Sequence, residues 1–166
     1  PRRNATVTTI APTGTISILA DCSAGIEPLY GVSVAHTIME DIRLQRLHPE
    51  FLRRARARAL PLCELREEIG RHESIQHLSQ IPDDLRRLFV TAHDIAPAHH
   101  VRNQAALPRH SDSGVSKTIN LPPSATTVDV AAAFTLAYEL GCKGVTVYRA
   151  GSREHQVLSC SHVQSC

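Results

Sequence analysis

The sequence predicts an α/β fold, and two stretches of it indicate this class. Near the N-terminus a β-forming run over residues 5–11 leads into a glycine turn and a helix start. Near the C-terminus residues 115–148 follow the order strand, helix, strand, and such strands normally lie parallel through a right-handed crossover. The chain has 166 residues, of which 42% are apolar, so it is long enough for one modest domain with a packed core.

Composition and charge exclude several classes of protein. The formal net charge is +2 and aromatic residues make up 4% of the chain, which is unlike a nucleic-acid-binding surface. No apolar run has the length of a membrane span, and no signal-peptide core follows the N-terminus. Five cysteines without regular spacing fit a reducing compartment. We therefore expect a cytoplasmic protein that binds neither a nucleic-acid polymer nor a membrane.

The first predicted elements are a strand over residues 5–11 and a short helix over about 15–21, joined by a turn at Pro12 and Gly14. Free N–H groups in the first turn of a helix carry partial positive charge, so this turn suits a phosphate. The same local features also fit an ordinary capped turn that binds no ligand. Three hydroxyl side chains can cap the helix: those of Thr13, Thr15 and Ser17.

The middle of the chain is predicted to hold one extended segment and several peripheral helices. Residues 30–38 alternate loosely in hydropathy, as a strand does. A helix is expected over 49–60, where the arginines distribute around the cylinder as a solvated face. Two further helices are expected, one over 64–70 that Gly70 closes and one over 82–89.

The next helix is predicted to begin at Pro97 and to end early. Proline is tolerated at the first helical position, but Ala96 offers no capping hydroxyl. Pro108 cannot continue a helix, so we expect the end near Leu107.

The last third of the chain is predicted to form a βαβ unit. Strands are expected over 115–121 and 145–148, and Thr126 with Asp129 resembles a capping box at the start of the intervening helix. Gly141 should close that helix. Its apolar residues are expected to share one buried face: Val130, Ala133, Phe134, Ala137 and Leu140.

Several motifs of this chain recur together in one known family. The stretch from Arg3 to Ser17 contains Ala-Pro-Thr-Gly-Thr-Ile-Ser, and six further motifs follow it in order: Cys-Ser-Ala-Gly-Ile-Glu-Pro at 22–28, Val-Thr-Ala-His-Asp-Ile at 90–95, His-Val-Arg at 100–102, Gln-Ala-Ala at 104–106, Val-Ser-Lys-Thr-Ile-Asn-Leu-Pro at 115–122 and the run from 137 to 149. Together they resemble the large catalytic subunit of ribonucleotide reductases. The first motif is most similar to the adenosylcobalamin-dependent class.

The resemblance implies a fold and a site. Residues 1–158 would be the C-terminal portion of a ten-stranded α/β barrel, and residues 159–166 would be a tail. In this family the turn after the first strand holds the phosphate of the substrate nucleotide. The matching residues here are Pro12, Thr13, Gly14, Thr15 and Ile16, flanked by Ser17.

The resemblance also implies an activity for the whole enzyme. A vitamin B12-dependent ribonucleoside reductase removes the ribose 2'-hydroxyl of a nucleoside di- or triphosphate by radical chemistry, with adenosylcobalamin as cofactor and a thioredoxin-type dithiol as reductant. The family's radical cysteine lies in an Asn-x-Cys-x-Glu string that this sequence lacks. We therefore expect a fragment with no catalytic residue, inactive without the remainder of the catalytic barrel. A Walker-type loop is also absent, which argues against nucleotide hydrolysis.

Other conspicuous residues are given structural roles. Glu27 is expected to bond backbone N–H groups in a turn, and Asp94, next to His93, is expected to cap a helix start. No metal is expected, because the Cys-x-His-x3-Cys spacing at the C-terminus matches no common zinc site. Three cysteines are expected to be buried thiols: Cys22, Cys63 and Cys142.

Two alternatives to a reductase fragment stay open from the sequence. One is a stand-alone phosphate- or nucleotide-binding module without catalytic activity. The other is a non-functional truncated reading frame, which the departures from the family pattern at Ala96, Pro108 and Ala150 make harder to dismiss.

Overall fold

The computed structural model describes residues 3–38, 42–152 and 158–159, which form two compact units. Unit 1 comprises residues 3–27 and 95–152, and unit 2 comprises residues 28–94 with 158–159. The mixture of helices and strands confirms the α/β class, whereas the described strands form two small open sheets and no closed barrel. The predicted boundary at residue 158 stays a prediction.

Unit 1 is built around the predicted βαβ unit. The elements of this unit are α1 (Gly14–Ala20), α5 (Pro97–Ala105), a 3₁₀ turn (Pro108–His110), β3 (Thr118–Leu121), α6 (Thr127–Glu139) and β4 (Thr146–Arg149). Strands β3 and β4 pair in parallel, with Ile119 opposite Val147, and helix α6 connects them. Helix α5 contacts both α6 and β3. Its buried core consists of Val101, Ile119, Ala133 and Ala137.

Helix α6 begins and ends where the sequence predicts. The carboxylate of Asp129 accepts from the Thr126 N–H at 2.7 Å, and the Thr126 hydroxyl accepts from the Asp129 N–H at 3.4 Å, so the capping box is confirmed. These hydrogen bonds lower the pKa of Asp129, and the bond from the Thr126 N–H has the largest effect. Gly141 follows the helix with a left-handed φ of 70°, a conformation that glycine adopts without strain.

The predicted buried face of α6 is only partly correct. Ala133 and Ala137 are buried, but Phe134 is 49% exposed and Leu140 is 42% exposed. The helix is apolar on more than one side, and within the described residues the core covers only the side that faces β3 and α5.

Helix α5 confirms the predicted start at Pro97 and the early end. Ala96 precedes it without a side-chain capping bond, and the helix stops at Ala105. Pro108 opens the 3₁₀ turn that follows.

The predicted first strand is wrong as a regular strand. Residues 7–10 run beside residues 112–116, but only Ile10 forms a ladder bridge, to Val115. The N–H groups of Val7 and Thr8 bond a side-chain carboxylate instead of strand carbonyls, so the ladder is not extended.

Unit 2 combines a three-stranded antiparallel sheet with three helices. Its elements are β1 (Ser33–Ile38), β2 (Ile42–Leu47), α2 (Pro49–Ala57), α3 (Leu62–Arg71), α4 (Asp83–Leu88) and β5 (Leu158–Ser159). The strand order is β2-β1-β5, and β1 confirms the predicted extended segment, whereas β2 was not predicted. Its buried core includes Val32, Phe51, Leu65, Ile69, Ile81, Leu85 and Phe89.

The helices of unit 2 match the predicted positions with one correction. Gly70 does not close α3, because it lacks a left-handed φ and stays helical, buried in the last turn. Phe51 of α2 meets Phe89 edge to face, with ring centroids 5.2 Å apart, and so joins α2 to the end of α4. Among the described residues no helix has the length and apolar character to cross a bilayer.

Candidate functional site

The six residues predicted to bind phosphate lie together in an exposed turn that becomes helix α1; residues 12–17 are called the phosphate loop below. Residues 12–16 are exposed, and Ser17 is buried and donates from its hydroxyl to the Gly14 carbonyl at 2.7 Å. Thr13 stands before the helix with φ 50° and ψ 26°, a left-handed conformation that is uncommon outside glycine. Its side chain makes no capping bond, so the predicted Thr13 cap is absent.

The first amides of α1 are open to a ligand. The first helical hydrogen bond runs from the Ser17 N–H to the Thr13 carbonyl at 3.0 Å, so the preceding amides have no partner inside the helix. Within the described part of the chain no acceptor bonds the N–H groups of Gly14, Thr15 or Ile16. A left-handed residue beside right-handed ones turns successive N–H groups to the same side, which makes a concavity suited to an anion.

Space in front of the loop is also open. A Cβ placed on Gly14 would meet no atom within 4 Å. Because Gly14 has no side chain, a ligand oxygen can approach its backbone closely.

The chain is attached to the segment that leads into β3 at two points, Ile10 before the phosphate loop and Glu27 ten residues after it. Upstream, the Ile10 carbonyl accepts from the Ser116 N–H at 2.9 Å. Downstream, one oxygen of Glu27 lies 2.5 Å from Nζ of Lys117, and the other accepts from the Thr118 N–H at 2.6 Å. The stretch 10–27, which contains the phosphate loop, is therefore held at both of its ends by neighbouring residues of one segment.

A second tether lies just upstream of the loop. The Asp112 carboxylate accepts from the N–H groups of Val7 and Thr8 at 3.1 and 3.2 Å, and from the Thr8 hydroxyl at 3.1 Å. These hydrogen bonds lower the pKa of Asp112; the bond from the Val7 N–H has the largest effect and the bond from the Thr8 hydroxyl the second largest. Lys143 donates to the carbonyls of residues 111 and 112, which holds the same turn from the other side.

The other residues singled out in the sequence make hydrogen bonds or ion pairs with residues outside the phosphate loop. Glu27 accepts from a backbone N–H, as predicted, but also from Lys117. Asp94 does not cap α5, since its carboxylate accepts from the Thr91 N–H at 2.8 Å and closes an earlier turn. His93 pairs instead with Glu73, whose carboxylate lies 3.2 Å from its Nδ1.

The prediction of three buried thiols is wrong for two of them. Cys22, which follows helix α1, and Cys63, in the first turn of helix α3, are exposed. Cys142 is half-buried against the core of unit 1, and burial raises the pKa of its thiol. Within the described ranges no three His, Cys, Asp or Glu side chains are grouped to hold a metal ion, and the C-terminal Cys and His residues lie outside those ranges.

Sequence reasoning did not find the contacts that two residues make near the loop. Lys117 is buried beside Glu27, and Gly25 lies against the backbone of Ala11. A lysine inside the apolar run 115–121 was the available signal, since a buried lysine needs an acidic partner. Its partner could not be identified, because Glu27 is 90 positions away in the chain.

Comparisons with known proteins agree on one family. The family described as "Ribonucleotide reductase, barrel domain" matches residues 1–148. The vitamin B12-dependent ribonucleoside-diphosphate reductase of Mycobacterium tuberculosis is 46% identical over 159 residues, which cover 96% of this chain and 23% of the relative. The reductase of the same name from Thermoplasma acidophilum is 42% identical over 157 residues, which cover 95% of this chain and 20% of the relative.

A solved structure supports the same assignment. The class Id ribonucleotide reductase alpha subunit of Actinobacillus ureae superposes with a TM-score of 0.73 at 27% identity, over 90% of this chain and 27% of that chain. This chain thus spans about a quarter of the length of the relatives that it matches. No observation favours the alternative of a stand-alone phosphate-binding module. Because the family match extends over residues 1–148, this chain belongs to the ribonucleotide reductase barrel-domain family.

Proposed function

We propose that this chain is the phosphate-binding part of a vitamin B12-dependent ribonucleotide reductase, whose substrate is a ribonucleoside diphosphate. The observation that carries the proposal is the set of open amides at Gly14, Thr15 and Ile16 behind the left-handed Thr13. The relatives of greatest similarity reported above are named as ribonucleoside-diphosphate reductases, which favours the diphosphate over the triphosphate.

Neutral donors are sufficient for the proposed binding. Amide N–H groups and the hydroxyls of Thr13 and Thr15 can donate to phosphate oxygens, and hydrogen bonds to a charged acceptor are about twice as strong as neutral ones. No lysine or arginine lies within residues 12–17, so the loop holds the phosphate without the cation that a hydrolytic site would supply. The proposed role of Pro12, which has no N–H, is to shape this turn, whereas Ile16 donates from its backbone amide alone.

The surroundings of the loop support a larger partner surface. Val7, Ile16, Ile18 and Leu19 are 69%, 63%, 52% and 83% exposed, although they are large apolar side chains. Several exposed apolar side chains close together in the chain, as at residues 16–19, are typical of an interface. We propose that the remainder of the catalytic barrel, with ten strands in all, covers these side chains in the complete enzyme.

The complete reaction replaces the ribose 2'-hydroxyl by hydrogen and releases water, with a thioredoxin-type dithiol as the source of the electrons. Adenosylcobalamin, when bound, supplies the radical that starts this chemistry. Among the described residues, a cavity of about 180 Å³ beside Leu47, Leu62 and Arg66 is too small for a corrin ring, so this cavity is not proposed as the cofactor site. The role of this chain is to bind and orient the substrate, in a cytoplasmic enzyme.

A graft tests the proposal. This chain replaces the matching segment of the full-length Thermoplasma acidophilum reductase, and deoxyribonucleotide formation is measured with adenosylcobalamin, a dithiol and a ribonucleoside diphosphate. We expect turnover from the graft and none from the isolated chain. A folded graft that binds the nucleotide but forms no product contradicts the proposed function, and so does turnover by the isolated chain.

A further inference from the structure

The buried Lys117 and the partly exposed Glu27 form an ion pair in the chain that follows the phosphate loop. Only 1% of the Lys117 side chain is exposed, and its Nζ lies 2.5 Å from Glu27 and donates to the Thr118 carbonyl at 2.7 Å. The second oxygen of Glu27 accepts from the Thr118 N–H at 2.6 Å. Removing Glu27 leaves the buried charge of Lys117 without a compensating carboxylate, so Lys117 depends on Glu27.

The pair holds a turn that lies against the loop. The Glu27 N–H donates to the Ala24 carbonyl at 3.0 Å and closes the turn. Gly25 inside this turn has a left-handed φ of 53°, and a Cβ there would stand 3.0 Å from the Ala11 carbonyl oxygen and 3.8 Å from the Thr13 hydroxyl. Glycine is therefore required twice, for its backbone conformation and for the close approach to Ala11.

The loop needs this support because its own conformation is strained. A threonine with a left-handed φ persists only where the surrounding structure determines it, and Thr13 has no side-chain capping bond of its own. The support within unit 1 comes from the attachment of Ile10 upstream and from the turn at Gly25 downstream. Displacing Ala11 would release Thr13 and turn the open amides away from each other.

We propose that Glu27 and Lys117 are positioning residues for the substrate phosphate. Their ion pair fixes the turn at Gly25, and that turn holds the backbone of the phosphate loop in the conformation that presents its amides. The inference rests on the proposed phosphate-binding role of the loop. Neither side chain acts on the reacting ribose, so their loss affects substrate affinity rather than the chemical step.

The first test compares two left-handed glycines in the full-length graft. Gly25→Ala places its Cβ against Ala11, whereas Gly141→Ala, with φ 70°, meets no atom within 4 Å. Both variants lose stability because alanine is strained at a left-handed φ, but only Gly25→Ala is expected to displace the loop. We expect Gly25→Ala to raise KM for the diphosphate about tenfold or more with kcat changed less than about threefold, and Gly141→Ala to leave both near the parent values.

The second test weakens the ion pair in two steps. Glu27→Gln keeps the shape and an acceptor for the Thr118 N–H, whereas Glu27→Ala removes both contacts. We expect KM to rise with Gln and to rise further with Ala, while kcat is retained. Should Glu27→Ala fail to fold, Glu27→Gln and Gly25→Ala decide the question.

The outcomes separate this inference from the proposed function. If a substitution inside the loop, Gly14→Ala, raises KM while Gly25→Ala and Glu27→Gln match Gly141→Ala, the loop binds phosphate and the positioning role is wrong. A loss confined to kcat or to thermal stability also overturns the positioning role. If Gly14→Ala leaves KM unchanged, the phosphate-binding role itself fails.

Discussion

Replacing Gly14 by alanine is expected to stabilise the fold and to weaken substrate binding. Gly14 is the first residue of α1, has no left-handed φ, and faces open space where a Cβ would stand. Alanine therefore fits without a clash and restricts the unfolded chain, which raises the free energy of unfolding by about 0.4–1 kcal/mol.

The same methyl group occupies the space in which the phosphate is proposed to sit. Loss of one hydrogen bond to a charged oxygen costs about 1.5–3 kcal/mol of binding free energy. Since 1.4 kcal/mol corresponds to a factor of ten, KM for the ribonucleoside diphosphate should rise roughly 10- to 100-fold. Stability and affinity thus change in opposite directions, which an unfolded or misfolded variant would not reproduce.

The assay is steady-state reduction by the full-length graft, together with thermal unfolding of each variant. Gly144→Ala is the matched control, because a Cβ on Gly144 also meets no atom within 4 Å and its φ is not left-handed. We expect Gly144→Ala to leave KM unchanged. A KM for Gly14→Ala within about twofold of the parent value would refute the reasoning from the open amides.

Two further predictions concern the supports of unit 1. Thr126→Ala removes the capping box of α6 and should lower the free energy of unfolding of the chain by about 1 kcal/mol, measured by denaturant titration. The carboxylate of Asp112 has a lowered pKa, so its tether to Val7 and Thr8 is complete above the ordinary aspartate pKa and is lost as the pH falls through the lowered value. An NMR titration of the Thr8 amide should show this loss only under acidic conditions.

Both of these predictions have internal controls. Val128→Ala changes a neighbouring side chain that is 73% exposed, and it should alter the free energy of unfolding by less than about 0.5 kcal/mol. Asp112→Asn should abolish the pH dependence of the Thr8 amide, and a dependence that survives would contradict the assignment to Asp112. Glu50 provides a carboxylate in unit 2 that titrates separately, because hydrogen bonds from Arg53 and Arg54 lower its pKa to about 2.

Local signals explain why the C-terminal elements were predicted well. The Thr126 cap, Gly141 and Pro97 each act on the backbone within a few residues, and the structure confirms all three. The same reasoning located the phosphate loop through Gly14, although its ligand stays a proposal. The left-handed Thr13 carries no such signal, because threonine normally avoids that conformation.

The features that sequence reasoning missed depend on residues far apart in the chain. The first strand was predicted from its β-forming residues, but Asp112, about a hundred positions later, takes the N–H groups of Val7 and Thr8 out of the ladder. The pairing of Lys117 with Glu27 is equally remote. Burial of Phe134 could not be judged from periodicity, because it depends on which neighbours pack against α6.

The attachment of Ile10 and Glu27 to successive residues of the same segment has a consequence for chain length. Because the two anchor points stay close together, the stretch between them can grow without separating the residues that it joins, and lengthening a closed loop costs little entropy. Cys22 and Ser23 lie in the exposed part of that stretch, beyond the phosphate loop and before the turn at Gly25. A short epitope inserted there would be displayed at the surface while the parallel strands of unit 1 kept their register.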